Sequence, residues 1–336
     1  STGVWLILSL TIATILPSCG DDPEARILPA FSGRAGELIL IMDDAHWTGP
    51  AGDAVRDVLH KPYPMLPQLE PSFSVIQLDP DNVSYINRIH RNLIVVDIEE
   101  NARNIPTRGQ QKEDKYSSGQ TVYTFHALNE NEFIQKFKEV GSSVAQDICE
   151  KDRKRIQKYN RKLNNAKAEA QLEEKMKLGL NLHNEYKAIK IEDDFAWFTR
   201  ERIQFLSGRG HDVIQGVAVY TYPYTSDSLL LKESLISSRN EFLGKNVLSI
   251  RDSPMNVETL LPPEYKQIGF SGQYAIEGRG LWKFQTPIMG GPYISLTVVD
   301  EKKGRVITVD GYAFAPKFDK KDFMLDIEAI VYSLTF

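Results

Sequence analysis

The chain has 336 residues, of which 42% are hydrophobic and 25% are charged, and its formal net charge at pH 7 is −5. This composition is typical of a globular protein, and the acidic balance excludes nucleic acid from the partners that we expect. The length is sufficient for one large domain or two ordinary ones.

The N-terminal segment predicts a protein that is exported and then held on a membrane by lipid. Residues 4–15 form an uncharged apolar run with the length of a signal-peptide core, which is too short to span a bilayer as a helix. Residues 16–20, Leu-Pro-Ser-Cys-Gly, resemble a bacterial lipobox, in which the cysteine thiol accepts diacylglycerol. We therefore predict a signal peptide over residues 1–18, lipidation at Cys19 and a flexible tether that continues to residue 36.

Two alternatives exist for this segment: an ordinary signal peptide with a chance cysteine at its end, and a buried N-terminal helix. No basic region precedes the apolar run at Ser1, so we expect the natural start of the chain to lie upstream. Asp21, Asp22 and Glu24 resemble a surface-export signal, although a solvated tether has the same composition. The expected location is the outer membrane of the cell envelope, on either its periplasmic or its surface face.

The first predicted domain, residues 37–190, alternates strands and helices, which favours an α/β layer. Apolar runs predict four strands, the third of them central, and helical spacing predicts two helices between them. The strands are predicted at 37–42, 73–78, 92–98 and 120–128, and the helices at 51–59 and 81–89. The polar segment 101–118 is predicted to be an exposed loop, and Asn129 is predicted to cap a further helix.

A long basic helix is predicted at the end of this domain. A helix over residues 142–178 would be about 55 Å long, so we expect it to cross the surface of the body or to project from it. Residues 151–162 contain seven basic residues and one acidic residue. They suit anionic lipid or an acidic partner, whereas the alternative is a solvated face balanced by nearby glutamates. Cys149 is predicted to be a buried, inert thiol, and no intramolecular disulfide forms if Cys19 is lipidated.

The second predicted domain, residues 191–336, changes character to an antiparallel meander closed by a helix. Alternating apolar residues predict strands at 194–203 and 212–222, and helical spacing predicts a helix over 228–243. The meander strands are predicted at 273–284, 293–300 and 305–314, and the last helix starts near Phe323. The fold class is therefore α+β: an α/β N-terminal layer with a long helix, followed by an antiparallel meander closed by a C-terminal helix.

Five short motifs in collinear order resemble one known family. They are Ser32-Gly33-Arg34, Met42-Asp43-Asp44 with Trp47 and Gly49-Pro50, Tyr220 to Tyr224, Gly278 to Trp282, and Met289 to Tyr293. This series resembles the bacterial lipoproteins catalogued as domain of unknown function 4837. The resemblance implies an envelope lipoprotein and implies no reaction. The meander with its closing helix is also similar to PsbP/Mog1-like domains, which is an analogy of fold and carries no function.

Asp43, Asp44 and His46 form the first candidate site. They follow the first predicted strand at its carboxyl end, where α/β sheets usually bind ligands. Two carboxylates and an imidazole suit a divalent metal or a pair of acid and base, which would indicate an envelope hydrolase. The alternative is structural: one of the two carboxylates caps the turn into the following helix, and Trp47 covers the edge of the sheet.

Aromatic side chains of the second domain form the second candidate site. Tyr220, Tyr222 and Tyr224 alternate along a predicted strand and would share one face, with Trp282 in the neighbouring meander. Together with Arg279 they would form a wall that stacks on a sugar or a peptide. The alternative is that the aromatic residues belong to the core and that Arg279 pairs with a buried carboxylate.

The sequence contains none of the spacings that mark common catalytic sites, such as Gly-x-Ser-x-Gly, His-Glu-x-x-His, a Walker loop or Cys-x-x-Cys. We therefore expect a non-catalytic binding or assembly module of the envelope, without a cofactor, that binds a protein or glycan partner in the cleft between its halves. An envelope hydrolase with its site at Asp43, Asp44 and His46 is the alternative. An assembly factor that acts through the basic helix is the third hypothesis.

Overall fold

The computed structural model describes residues 27–99 and 108–336. Within these residues the protein is α+β, as predicted, with one mixed sheet and one antiparallel sheet. Cys19, the predicted signal peptide and the first part of the predicted tether lie outside the described residues. No helix in the described part of the chain is long and apolar enough to cross a membrane.

Five strands form the first sheet. They are β1 (Glu37–Ile41), β2 (Ser74–Leu78), β3 (Asn92–Ile98), β4 (Arg108–Glu113) and β5 (Thr121–Ala127). Their order in the sheet is β2-β1-β3-β5-β4, and all neighbours pair in parallel except β4, which is antiparallel to β5. This arrangement confirms the predicted α/β layer and the central position of its third apolar strand.

The edge strand β4 lies in the segment that we predicted to be a loop. All of its side chains are exposed, and its backbone pairs with β5 along its whole length. An edge strand with polar residues on both faces buries no side chain, so its sequence carries no apolar alternation. The loop prediction was therefore wrong for this segment.

Two helices cover one face of the first sheet. The helices of this region are α1 (Asp44–Trp47), α2 (Pro50–Leu59), α3 (Tyr85–Arg88) and α4 (Glu130–Lys162). The core under α2 and α4 includes Val55, Phe133 and Phe137. The rings of Phe133 and Phe137 contact Phe125 of β5 edge-on, with centroids 6.0 and 5.4 Å apart. Burial of each ring contributes about 1.5–3 kcal/mol, which holds α4 on the sheet.

The single helix predicted over residues 142–178 is in fact two helices. α4 begins after Asn129, as predicted, but it ends at Lys162, and α5 (Ala166–Met176) begins after Asn165. The Asn165 side chain accepts a hydrogen bond from the Ala168 amide. Asn is favourable as a helix cap and unfavourable inside a helix, so it starts a new helix here. α4 does not project, because it packs against the first sheet and against α7 (Lys321–Val331).

Eight strands form the second, antiparallel sheet. They are β6 (Lys187–Ile191), β7 (Phe195–Leu206), β8 (Arg209–Pro223), β9 (Asn256–Val257), β10 (Glu264–Phe270), β11 (Gln273–Phe284), β12 (Met289–Asp300) and β13 (Arg305–Phe314). Their order is β10-β11-β12-β13-β8-β7-β6, and β9 pairs with β11 at one edge. The neighbouring positions of β11, β12 and β13 confirm the predicted meander.

Helices cover both faces of the second sheet. On one face, α5 and α7 contribute Leu172 and Ile327 to a core that also contains Val217 of β8. On the other face, α6 (Lys232–Asn246) contributes Leu243 to a core of mostly aromatic residues. Because successive side chains of a strand point to opposite faces, each long strand of this sheet serves both cores.

The change from the first to the second sheet occurs earlier than the predicted boundary near Lys190. That residue lies within β6, which pairs with β7, and α5 also packs on the second sheet. β6 is a short, largely exposed edge strand and therefore lacks a clear apolar pattern. We call the described residues up to Lys162 the first half and those from Ala166 the second half.

Buried polar contacts join the two halves. The Glu70 carboxylate of the first half accepts hydrogen bonds from the backbone N–H groups of Lys320 and Lys321, at 2.7 and 2.8 Å. These groups open α7, so a residue of the first half caps a helix of the second. Tyr63 donates its hydroxyl hydrogen to Glu328 of α7 at 2.6 Å. α7 is thus bonded to the first half at two points along its length.

Candidate binding cleft

The predicted site at Asp43, Asp44 and His46 consists of capping and turn contacts. Asp43 Oδ1 accepts a hydrogen bond from a backbone amide of α1 at 2.8 Å, and the Asp44 carboxylate accepts one from Gln77 Nε2 at 2.9 Å. His46 Nδ1 lies 3.6 Å from an oxygen of Glu130. Among the described residues, no group of three or more His, Cys, Asp or Glu side chains is arranged to hold a metal ion. The geometry matches the structural alternative for this turn.

The predicted aromatic wall belongs to the core under α6. Tyr220 and Trp282 are each 2% exposed, and Tyr220 stacks on Phe242 with ring centroids 4.7 Å apart. Trp282 Nε1 donates to a backbone carbonyl of β13 at 3.1 Å. Tyr222 is half-buried against Phe242, and Tyr224 lies beyond the end of β8, where its hydroxyl binds a neighbouring carboxylate. Tyr220, Tyr222 and Trp282 therefore pack the core, Tyr224 lies apart from them, and the four side chains do not present a wall to a ligand.

Arg279 lies on the opposite face of the second sheet from Trp282. Residues three positions apart on a strand project to opposite faces. The prediction that Arg279 and Trp282 lie together in one ligand-binding wall was therefore wrong. Arg279 is buried, and its guanidinium donates two hydrogen bonds to the Glu277 carboxylate, at 2.8 and 3.0 Å. A third goes to Glu328 at 3.0 Å. The alternative prediction, a pair with a buried carboxylate, is confirmed.

Glu328 is the centre of a buried polar network that connects the halves. Its carboxylate accepts hydrogen bonds from Tyr63 Oη and Arg153 Nη2, both at 2.6 Å, in addition to the one from Arg279. Burial by itself raises the pKa of Glu328, but the charges of Arg279 and Arg153 outweigh this effect and lower the pKa to about 2. The carboxylate is therefore ionised at neutral pH and holds α4, α7 and β11 together.

The basic segment 151–162 does not form one continuous positive face. Arg153 turns inward to Glu328, and Arg155 pairs with the buried Asp152 at 2.7 Å. Lys154, Lys158, Arg161 and Lys162 face solvent. Arg153 serves the contact between the halves, whereas Arg155 bonds within the first half, so the segment combines structural and solvated positions.

An open cleft lies between the two halves, beside α4 and α7. Its volume is about 480 Å³, and its walls come from these two helices, the segment before β1, the residues between α5 and β6, and β7. The lining includes Phe31, Arg155, Tyr159, His183, Tyr186 and Arg200. A concave site of this size, at the contact of two structural units, is a common place for a ligand.

Aromatic rings form part of the rim of the cleft. Tyr159 of α4 is 57% exposed and stacks on the His183 ring, with centroids 5.8 Å apart and an angle of 17° between the planes. Phe31 packs against the guanidinium groups of Arg91 and Arg155, which lie 4.8 and 5.7 Å from its ring centroid. A tyrosine that is held flat against another ring, and is still half exposed, offers a stacking surface for a ligand.

The buried part of the cleft contains polar groups without partners. Tyr186 is 1% exposed, and neither its hydroxyl nor Nε of Arg200 has a hydrogen-bond partner within the described residues. The terminal nitrogens of Arg200 pair with Glu185 and Asp326. His183 Nδ1 accepts the Glu185 amide hydrogen at 3.2 Å, so the neutral ring carries its proton on Nε2. A buried donor without an acceptor costs about 1–3 kcal/mol.

The charges in the cleft are balanced. Burial and the positive charge of Arg200 lower the pKa of His183, so this ring is neutral at pH 7. Each arginine of the lining has a carboxylate partner. The pairs are Arg34 with Asp322, Arg91 and Arg155 with Asp152, and Arg200 with Glu185 and Asp326. Paired charges beside free donors favour a neutral ligand that is rich in acceptor oxygens over an ion.

Comparison with known protein families finds a match for each half. Residues 165–333, half of the chain, match the family described as Domain of unknown function (DUF4837). The chain belongs to this family. Residues 32–161 match a second family, described as Domain of unknown function (DUF8532). The two matches meet at the break between α4 and α5, so each wall of the cleft comes from a different family match.

Similar solved structures include a mutant of the protein Mog1 and the Saccharomyces cerevisiae Ran-binding protein Mog1p. Each alignment covers 47% of the DUF4837 chain and 89% of the other chain, with a TM-score of 0.31 and identities of 9% and 8%. A likeness at this level carries no argument about function. Comparison with curated proteins finds no match.

The residues that line the cleft of this DUF4837 protein were not among the predicted site residues. His183 and Tyr186 follow Leu178, Leu180 and Leu182, all of which are buried. The alternation of these leucines was a signal that the connection between α5 and β6 is extended and packed rather than a surface loop. A histidine and a tyrosine at the end of such a segment were therefore candidates for a partly buried polar site.

Proposed function

We propose that this DUF4837 protein is a non-catalytic, lipid-anchored binding module of the bacterial cell envelope, and that its cleft binds a neutral glycan. The observation that carries the proposal is the combination of an exposed stacking ring with buried, unpartnered donors in one cleft. The ring is Tyr159, and the donors are Tyr186 Oη and Arg200 Nε. Sugar rings have flat apolar faces and many hydroxyl oxygens, so they match both features.

The electrostatics of the cleft support a neutral glycan over a charged peptide. The arginines already have carboxylate partners, and His183 is uncharged at pH 7, so a ligand charge would find no free counter-charge there. The hydrolase alternative at Asp43, Asp44 and His46 gains no support, because the two carboxylates accept hydrogen bonds within their own turn and from β2.

The lipid anchor in this proposal is supported by the lipobox-like residues 16–20 and by the apolar run that precedes them. The protein isolated from bacterial membranes should begin at Cys19 and carry the additional mass of its acyl chains, as measured by mass spectrometry. A chain that begins elsewhere, or that carries no acyl mass, contradicts this part of the proposal.

The glycan site is tested by titration calorimetry of the folded chain with oligosaccharides of the cell envelope. Tyr159→Ala should weaken binding about 2- to 12-fold, because it removes a stacking contact of about 0.5–1.5 kcal/mol. Tyr186→Phe should weaken binding about 5-fold, because it removes one donor worth about 1 kcal/mol. The matched control is Tyr274→Ala, a tyrosine of β11 that is also half exposed and does not line the cleft.

Binding that is equal in all three variants would place the ligand outside the cleft and contradict the proposal. A thermal-shift panel of neutral glycans and envelope peptides supplies the ligand for this titration. A ligand at about one hundred times its dissociation constant stabilises the fold by about 2.7 kcal/mol, which such a panel detects. Stabilisation by peptides alone would replace the glycan with a peptide as the occupant of the cleft.

A further inference from the structure

The hairpin of β7 and β8 extends beyond the second sheet. β13 pairs with β8 only as far as Ile214, so residues 203–212 pair only with each other. All of them are exposed except His211, which is half-buried. Ile203 and Phe205 are 65% and 71% exposed. An isolated two-stranded ribbon is barely stable in water, so apolar side chains at this place indicate contact with something other than water.

Two loops at the same end of the sheet carry exposed isoleucines. Ile288 lies in the turn between β11 and β12 and is 93% exposed, and Ile250 lies in the loop after α6 and is 92% exposed. Ser249 Oγ donates to the backbone oxygen of Thr286, which ties the loop to the turn. We call the hairpin residues 203–212, the loop 248–254 and the turn 285–288 the apolar end of the sheet.

The strand registers show that the apolar residues of this end extend to similar distances along the strand direction, measured from one row of paired residues. Ile214 pairs with Phe314, and the register of β12 with β13 continues this row to Gly291. Phe205 pairs with Gly210, four residues beyond Ile214, which is roughly 13 Å at 3.3 Å per residue. Ile288 is three residues beyond Gly291, which is roughly 10 Å. A single flat surface can therefore contact both Phe205 of the hairpin and Ile288 of the turn.

The shape and the charges of the apolar end suit a fluid surface. Its apolar side chains stand on separate protrusions, about three strand spacings or roughly 14 Å apart, whereas a protein partner needs one continuous and complementary patch. The exposed Arg209 and Arg251 are accompanied by the exposed Asp212 and Asp252. Contact with such a surface would therefore depend on insertion of apolar side chains more than on charge.

We propose that the apolar end rests on a lipid bilayer, with Phe205 and Ile288 among the headgroups. This inference builds on the lipid anchor of the proposed function. Ile27, the first described residue, is eight residues after Cys19, so the chain between them spans at most about 28 Å. An anchor on so short a tether keeps the folded protein beside the bilayer. The effective concentration of lipid around its exposed apolar side chains is therefore high, which favours contact with lipid over contact with other partners.

The test uses the full lipidated chain, purified from bacterial membranes and reconstituted into vesicles of phosphatidylethanolamine and phosphatidylglycerol. Nitroxide labels are attached to Ile288→Cys and, separately, to Phe205→Cys. The control is Lys302→Cys in the exposed turn between β12 and β13, at the opposite end of the sheet. Power saturation then compares collisions of each label with oxygen, which concentrates in lipid, and with a water-soluble nickel chelate.

We expect the labels at positions 288 and 205 to collide with oxygen several-fold more often than with the chelate, and the label at 302 to do the reverse. Values at 288 and 205 that equal those at 302 would overturn the inference. Labels that are shielded from both reagents would indicate a protein contact, such as a second copy, and would also overturn it. A chain that does not float with the vesicles refutes the anchor itself, whereas a floating chain with aqueous labels refutes only the lipid contact.

Discussion

Replacing Glu328 by Gln removes the charge at the centre of the buried network and keeps the shape of the side chain. The neighbouring arginines lower the pKa of the folded carboxyl from 4.5 to about 2 against the opposing effect of burial. The difference between these values corresponds to about 3 kcal/mol of stabilisation at neutral pH. We therefore expect Glu328→Gln to reduce the free energy of unfolding at pH 7 by about 3 kcal/mol.

The effect of Glu328→Gln should depend on pH in a defined direction. Because the folded-state pKa is depressed, the stabilisation is present above pH 4.5 and is lost as the pH falls towards 2. The glutamine cannot titrate, so the difference between the two proteins isolates Glu328 from all other carboxylates. It should shrink from about 3 kcal/mol at pH 7 to roughly half of that at pH 3.

Urea unfolding at the two pH values, followed by tryptophan fluorescence, measures this difference. The matched control is Glu233→Gln on α6, since this glutamate is exposed and the substitution should change the free energy of unfolding by less than about 0.5 kcal/mol. A difference for Glu328→Gln that is the same at both pH values, or that is below about 1 kcal/mol at pH 7, would refute the reasoning.

Three further predictions concern the core and the contacts of α7. Trp282→Ala should destabilise the protein by about 3–5 kcal/mol in urea unfolding, because it leaves a cavity under α6, and a loss below about 1 kcal/mol would contradict its burial. Glu70→Ala should cost about 1–2 kcal/mol and speed hydrogen exchange at Lys320 and Lys321, whereas unchanged exchange there would contradict the capping contact. Cys149 should react with a thiol reagent at pH 8 only in urea, because burial, together with nearby carboxylates, raises the pKa of its thiol to about 12; rapid reaction of the folded protein would disprove this.

The sequence by itself determined the regular elements that bury apolar side chains. The apolar runs of β1 and β8 and the helical stripe of α4 are local patterns, and such patterns are visible without knowledge of the fold. The strands that it did not reveal are β4, β6, β10 and the two-residue β9, and the first three of these are edges with largely exposed side chains. An edge strand is held by backbone pairing, which leaves no trace in the order of side chains.

The tertiary structure alone decided which face of a strand is covered and which polar groups meet. Alternation placed Tyr220 and Tyr222 on one face, but only the position of α6 made that face a core. The sequence around Arg279 likewise does not predict its contact with Glu328 on α7, and the sequence around Tyr159 does not predict that this ring stacks on His183. These contacts join residues that are far apart in the chain, and no local period encodes them. Both the buried network and the cleft therefore exist only because the two halves pack together.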